Sequence, residues 1–325
     1  MYSSMVRVFL FGAIMFALAM PMFAWDETGH KITAYIAWQR MTPDVREKVF
    51  KILLSAPEDS QIGAFYVGNG SRLIDSKKRE YFMLMATWPD IIRDKAFDTR
   101  FKKYHNANWH YADTFWTWKN GKAVMVESTE ANGLAMQKLN DFNQLIRSAV
   151  TDAEKAVGIA WLEHLIGDIH QPLHTSGKVT DSNPKGDQGG NLFLLTPKGT
   201  TRDKQENLHW FWDSIVGRYQ PNANDQCDAD YLDPIAQAIM GLYPYEKEKD
   251  KINAGKFDIW AKESLDIAMS DVYKDIKFFE MPSDKYKKKA FEIAQQRMAL
   301  AGYRMGDLFN EVFAVSTAPV TPPVK

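Results

Sequence analysis

Two His-x-x-x-Asp pairs carry the chemistry that can be read from this chain of 325 residues: His164 with Asp168, and His209 with Asp213. Spaced i,i+4 on a helix, the two side chains of each pair point the same way, one turn apart. Pro172 ends the first helix and lets His174 swing off its end. An imidazole and a carboxylate on one face, with another imidazole just beyond, are what a helical bundle uses to hold a metal ion. One such pair often arises by chance as a surface contact or a cap, but two in a chain with only seven histidines point to metal. Asp90, His110 and His30 are further candidate ligands, each with a plainer reading. Asp90 could cap a helix after Trp88-Pro89, His110 could be an ordinary half-buried histidine, and His30 could sit in a first helical turn. A nitrogen-and-oxygen set without sulfur suits zinc.

Helices must position these residues. Thr42-Pro43 places a cap and an N1 proline at the start of a helix running to about Leu54. Helical patterns follow near 72–86, 129–149, 152–171, 232–242, 257–278 and 284–313, and another opens at NLHWFWD. Residues 94–108 look irregular. Asn120-Gly121 marks a β-hairpin, and NLFLL with a turn at 197–200 suggests a second. The expected fold is mainly α, a single-domain helical bundle with two minor β-hairpins.

The first 24 residues differ from the rest. Arg7 precedes 13 apolar residues, Val8 to Met20, and Ala24 offers a cleavage point, which is the pattern of a secretory signal peptide. Thirteen apolar residues are too few to span a bilayer comfortably. The expected organisation is a signal peptide at 1–24, one domain at 25–314 and a disordered tail at 315–325. Cleavage after Ala24 would make Trp25 the mature N-terminus, with a free amine and a carbonyl able to chelate metal beside His30. Cys227 is the only cysteine, so no intrachain disulfide is possible and bound metal would have to supply rigidity. The net charge of −1 excludes the strongly basic footprint of a protein that grips duplex DNA electrostatically.

Several motifs in one order resemble the S1/P1 nuclease family, the zinc-dependent, single-strand-specific nucleases of fungi, plants and bacteria. They are Trp25 with Gly29-His30, Trp88-Pro89-Asp90, His110-Tyr111-Ala112-Asp113, His164 with Gly167-Asp168 and Gln171-Pro172-Leu173-His174, Gly189-Gly190-Asn191, and Asn207-Leu208-His209 with Trp212-Asp213. The resemblance covers essentially the whole mature chain, and the absence of disulfides looks like the bacterial branch. It implies a mainly α-helical fold with three zinc ions. Asp90, His110, His164 and Asp168 would hold the first. The Trp25 amine and carbonyl with His30 would hold the second, bridged by Asp168, and His174, His209 and Asp213 would hold the third. His105 stands at a spacing from Asp90 that some relatives use and competes with His110, which is favoured because Asp113 follows it.

The resemblance further implies hydrolysis of single-stranded DNA and RNA to 5′-phosphate products, with 3′-nucleotidase activity. A metal-bound hydroxide would attack in line while the third zinc stabilises the leaving 3′-oxygen. Asp113 would orient the attacking water, and Arg93 would stabilise transition-state charge or else form an ordinary ion pair. Tyr111 would offer a base a stacking face or else simply pack, and Asn191 would contact substrate. An exported monomer, periplasmic or secreted and without stable membrane association, is the expected form. Two alternatives remain: a zinc-dependent phospholipase C, related in fold and metal content, and a non-catalytic exported zinc-binding protein.

Overall fold

The computed structural model describes residues 25–127 and 133–314. The expected leader at 1–24 and tail at 315–325 lie outside the described residues. Thirteen α-helices are present among the described residues: α1 (Glu27–Arg40), α2 (Pro43–Leu54), α3 (Ile74–Met85), α4 (Trp88–Ile91), α5 (Asp98–Tyr104), α6 (Ala135–Arg147), α7 (Asp152–Asp168), α8 (Leu208–Asp213), α9 (Ile215–Tyr219), α10 (Asp228–Leu242), α11 (Tyr245–Glu248), α12 (Phe257–Ile267) and α13 (Asp284–Phe313). None is long and apolar enough to cross a membrane.

The bundle is built around α1, α7 and α13. In α7 the sequence sets both ends. Thr151 and Glu154 form a reciprocal capping box that satisfies the first orphan amides. From Gly158 to Asp168 every residue is buried, so the helix runs through the core rather than along its surface. Helix α1 starts at Asp26, whose carboxylate accepts from the Gly29 amide at 3.1 Å, and is buried over Gly29–Trp38. It lies close against α13 because Gly302 and Gly306 lack side chains: a Cβ at either would come within 2.6 Å of Ile36 or Arg40. Large aromatic side chains fill the interior, Trp38, Trp88, Trp161 and Trp212 among them, each fully buried.

The β content departs from the expectation of two hairpins. Strands β1 (Thr114–Lys119) and β2 (Lys122–Met125) form the expected antiparallel hairpin. Asn120 and Gly121 both take positive φ, 51° and 74°, as a tight two-residue turn requires. The third strand, β3 (Ser176–Lys178), pairs parallel with β1, so the sheet order is β2-β1-β3. The expected second hairpin is reduced to one antiparallel bridge, Leu194 to Asn207. The chain between them makes a short 3₁₀ turn at Arg202–Lys204 instead of returning directly. Helix α5 falls in the stretch expected to be irregular. Its sequence, DTRFKKY, is too charged to show an apolar stripe, yet Arg100 and Tyr104 are buried.

Candidate metal centre

Two long helices and four short elements converge on one point. Helix α7 brings His164 and Asp168. After it, a 3₁₀ turn (Pro172–Thr175), capped by Gln171 on the Leu173 amide at 2.5 Å, delivers His174. Helix α1 brings His30, α4 brings Asp90, and a 3₁₀ turn (Ala107–His110) brings His110. Helix α8, capped by Asn207 on the Trp210 amide at 2.7 Å, brings His209 and Asp213.

Three groups result: His30, His164 and Asp168; Asp90, His110 and His164; and His174, His209 and Asp213. Within each, the donor atoms lie within 4.8 Å of one another. Asp168 joins the first two groups. Its Oδ1 is 3.3 Å from His30 Nε2, and its Oδ2 is 3.1 Å from His110 Nδ1 and 3.4 Å from His164 Nε2. His164 Nε2 also lies 3.7 Å from Asp90 Oδ1 and 2.9 Å from His110 Nδ1. In the third group His209 Nε2 is 3.3 Å and His174 Nε2 is 3.9 Å from the Asp213 carboxylate.

The main chain fixes which ring nitrogen faces inward. His164 Nδ1 is 2.8 Å from the Ala86 carbonyl, His174 Nδ1 is 2.8 Å from the His110 carbonyl, and His209 Nδ1 is 2.7 Å from the Gly189 carbonyl. A carbonyl only accepts, so each Nδ1 carries the proton and each Nε2 presents its lone pair to the centre. This is how metal-ligating histidines are oriented. Gln171 does the same for Asp213, donating from Nε2 to Oδ1 at 2.6 Å. Glycines make the approaches possible. A Cβ on Gly167 would stand 2.6 Å from His30 Nδ1, and one on Gly189, at φ 60°, would stand 2.4 Å from the Leu173 carbonyl.

Burial disfavours charge on the clustered side chains themselves. Burial pushes the histidines down, His164 to about 3, and His30, His110 and His174 well below their usual range. It pushes Asp90 up to about 6, against the pull of the Arg93 charge, and Asp168 and Asp213 well above the carboxylate range. His30 Nε2, His174 Nε2, Asp168 Oδ1 and Asp213 Oδ2 are buried without a hydrogen bond. Neutral imidazoles and carboxylates turned toward one another, with unused donors between them, fit divalent cations and little else.

The other expected residues are arranged as follows. Arg93 pairs with Asp90 at 2.7 Å. Asp113 is half-buried as a residue, but its Oδ1 is fully buried and makes no hydrogen bond. Burial, and then the nearby charge of Asp187, raise its carboxyl well above the usual range. Tyr111 stacks on the His174 ring, with centroids 4.9 Å apart and planes at 17°. Asn191 donates from Nδ2 to the Gln188 carbonyl at 2.8 Å, which holds the Gly189-Gly190 turn against His209. Trp25 is completely buried at the start of α1, where the Asp26 amide donates to the Asp213 carbonyl at 3.0 Å. His105 stacks on Phe101 and joins none of the three groups, whereas His110 meets both Asp168 and His164. His170 faces away, held by the Ile166 carbonyl and the buried Arg304 guanidinium, both at 2.7 Å. The sequence pattern did not single out Gln171 as a partner of Asp213, nor the Asp187–Tyr273 hydrogen bond of 2.6 Å behind Asp113.

The family model described as S1/P1 Nuclease matches residues 25–314. Nuclease S1 of Aspergillus oryzae is 24% identical over 315 residues, covering 93% of this chain and 96% of the relative. Endonuclease 2 of Arabidopsis thaliana is 23% identical over 301 residues, covering 89% and 90%. Endonuclease 1 of the same plant is 27% identical over 162 residues, about half of each chain.

Proposed function

The chain belongs to the S1/P1 nuclease family and is a phosphodiester-hydrolysing enzyme, and from that premise we propose that it cleaves single-stranded DNA and RNA to 5′-phosphate products and removes phosphate from 3′-nucleotides. The observation that carries the proposal is the convergence of three His/Asp groups around Asp168 and Asp213, with their free lone pairs turned inward.

Zinc is the ion proposed, three per chain, held by Asp90, His110, His164 and Asp168, by His30 with the Trp25 amine and carbonyl, and by His174, His209 and Asp213. Bound there, it would act as a Lewis acid on the phosphate and lower the pKa of water toward neutrality. The protein's own side chains do the rest. Asp113, whose Oδ1 is buried without a hydrogen bond, is proposed to orient the attacking water and accept its proton. Arg93, anchored on Asp90, keeps a guanidinium near His30, His110, His164 and Asp168, where the phosphate's charge grows in the transition state. Tyr111 and Asn191 line the substrate side. Stacking of unpaired bases accounts for single-strand preference, because duplex bases do not offer their faces.

Export with cleavage after Ala24, and a monomeric processed enzyme, complete the proposal. Phospholipase C chemistry is the nearest rival. Supplied side by side with heat-denatured DNA and phosphatidylcholine, the processed protein is expected to degrade the DNA and spare the lipid. Turnover of the lipid alone would overturn the nuclease assignment.

A further inference from the structure

Between Asp168 and His174 the chain bends out of α7 into the 3₁₀ turn at Pro172–Thr175. A helix leaves its last carbonyls without intrahelical donors, and residues 165–170 are all buried from bulk water. Each carbonyl from Leu165 to His170 nevertheless has a donor. The Ile169, His170 and Gln171 amides donate to Leu165, Gly167 and Asp168, at 3.0, 3.0 and 2.9 Å. Side chains meet the other three. His170 Nδ1 lies 2.7 Å from the Ile166 carbonyl, Ser264 Oγ donates to Ile169 at 2.5 Å, and Arg297 Nε donates to His170 at 3.2 Å.

This capping set reaches into α12 and α13. His170 Nε2 is 2.7 Å from Arg304 Nη1. A guanidinium only donates and a carbonyl only accepts, so the His170 ring is a neutral bridge from Arg304 to Ile166. Glu263 joins the two arginines, taking Arg297 Nη1 on Oε2 and Arg304 Nη2 on Oε1, both at 2.8 Å. Arg297 Nη2 donates to Ser264 Oγ at 2.7 Å, and Arg304 Nη2 to the Lys251 carbonyl at 2.6 Å. His170, Ser264, Arg297 and Arg304 are all buried. Burying two guanidiniums against one carboxylate adds little stability over apolar packing. What the planar forks add is direction, since each N–H reaches a fixed point. Their positive excess also sits at the carbonyl end of α7, where the helix dipole favours it.

Resting on the metal assignment above, we propose that His170, anchored by Arg304 and Arg297, is a positioning residue for the third zinc site. The bend it fixes carries His174 directly. It also holds Asp213, because Gln171 within the bend donates to Asp213 Oδ1 at 2.6 Å. Two of the three ligands at that site therefore depend on the bend. His164 and Asp168 lie before it on α7, and His30, Asp90 and His110 come from other elements.

Zinc affinities measured site by site, with thermal unfolding of the same samples, test this. His170→Ala is expected to bind one zinc of the three about tenfold more weakly, the scale at which groups behind metal ligands act, and the other two unchanged. Ser264→Ala, which removes only the donor to Ile169, should show the same selective loss to a smaller degree. His170→Gln, which keeps an acceptor for Arg304, should recover part of it. Leu308→Ala, which opens a cavity elsewhere on α13, should lower the unfolding temperature without singling out one zinc. Unchanged affinities in His170→Ala and Ser264→Ala overturn the positioning role, as does a loss spread evenly over all three zinc ions. If His170→Ala does not fold, Ser264→Ala decides by the same criterion. A wild type that binds no zinc instead overturns the metal assignment, and the positioning role falls with it.

Discussion

Asp113 differs from Asp90, Asp168 and Asp213 in belonging to none of the three His/Asp groups. Its Oδ1 is buried without a hydrogen bond, and the Asp187 behind it is held by the Lys178 amide at 2.9 Å and the Tyr273 hydroxyl. A carboxylate placed this way can accept a proton without being needed to hold metal. Asp113→Asn is expected to keep its full complement of zinc and lose activity by a hundredfold or more, about the worth of one positioned general base. Activity lost only in step with zinc would show that Asp113 is structural. At this scale the sequence is most legible where residue type and spacing coincide. His164 with Asp168 and His209 with Asp213 can be paired without a structure, because i,i+4 spacing brings them together on any helix. The groups that orient them cannot, since the Ala86, His110 and Gly189 carbonyls are main chain and carry no residue signature.

Helices supply the ligands, but the spaces between helices decide whether the ligands meet. His30 stacks on His164 with ring centroids 4.0 Å apart, and this needs α1 to pass directly over Gly167 of α7. Gly167→Ala places a methyl group where the His30 ring now lies. The variant is expected to fold and to lose one zinc equivalent, which metal analysis of the purified protein would reveal. Retention of all zinc would mean that α1 can shift without moving His30. The sequence showed Gly167 beside Asp168 but gave no sign that a ring from a distant helix fills the gap. It likewise revealed the first hairpin through Asn120-Gly121, a local turn signal, and missed the pairing of β3 with β1. That pairing is parallel and between strands far apart in sequence, which no local pattern encodes.

Across the whole molecule, residues from His30 to Asp213 are drawn to one centre, and the long α13 backs it by packing on α1. The mainly α class was legible because amphipathic and capped segments recur along the chain. The depth of the centre was not, since α7, buried on every side from Gly158 to Asp168, has no apolar face to distinguish there. The start of the domain matters most. Trp25 is fully buried, and the next amide bonds to the Asp213 carbonyl. A chain that retains extra residues ahead of Trp25 is therefore expected to be metal-deficient and weakly active compared with one that begins there. Equal zinc in the two would remove the terminal amine from the ligand set.

The central claim is that the three His/Asp groups hold zinc and that this metal is required for cleaving single strands. Zinc content and cleavage of heat-denatured DNA should be measured on the chain beginning at Trp25, before and after chelation and after zinc is restored. The account predicts three zinc ions per chain, loss of cleavage as they are removed and recovery when they return. Cleavage that survives complete removal of metal, or a chain that binds no zinc, would contradict it.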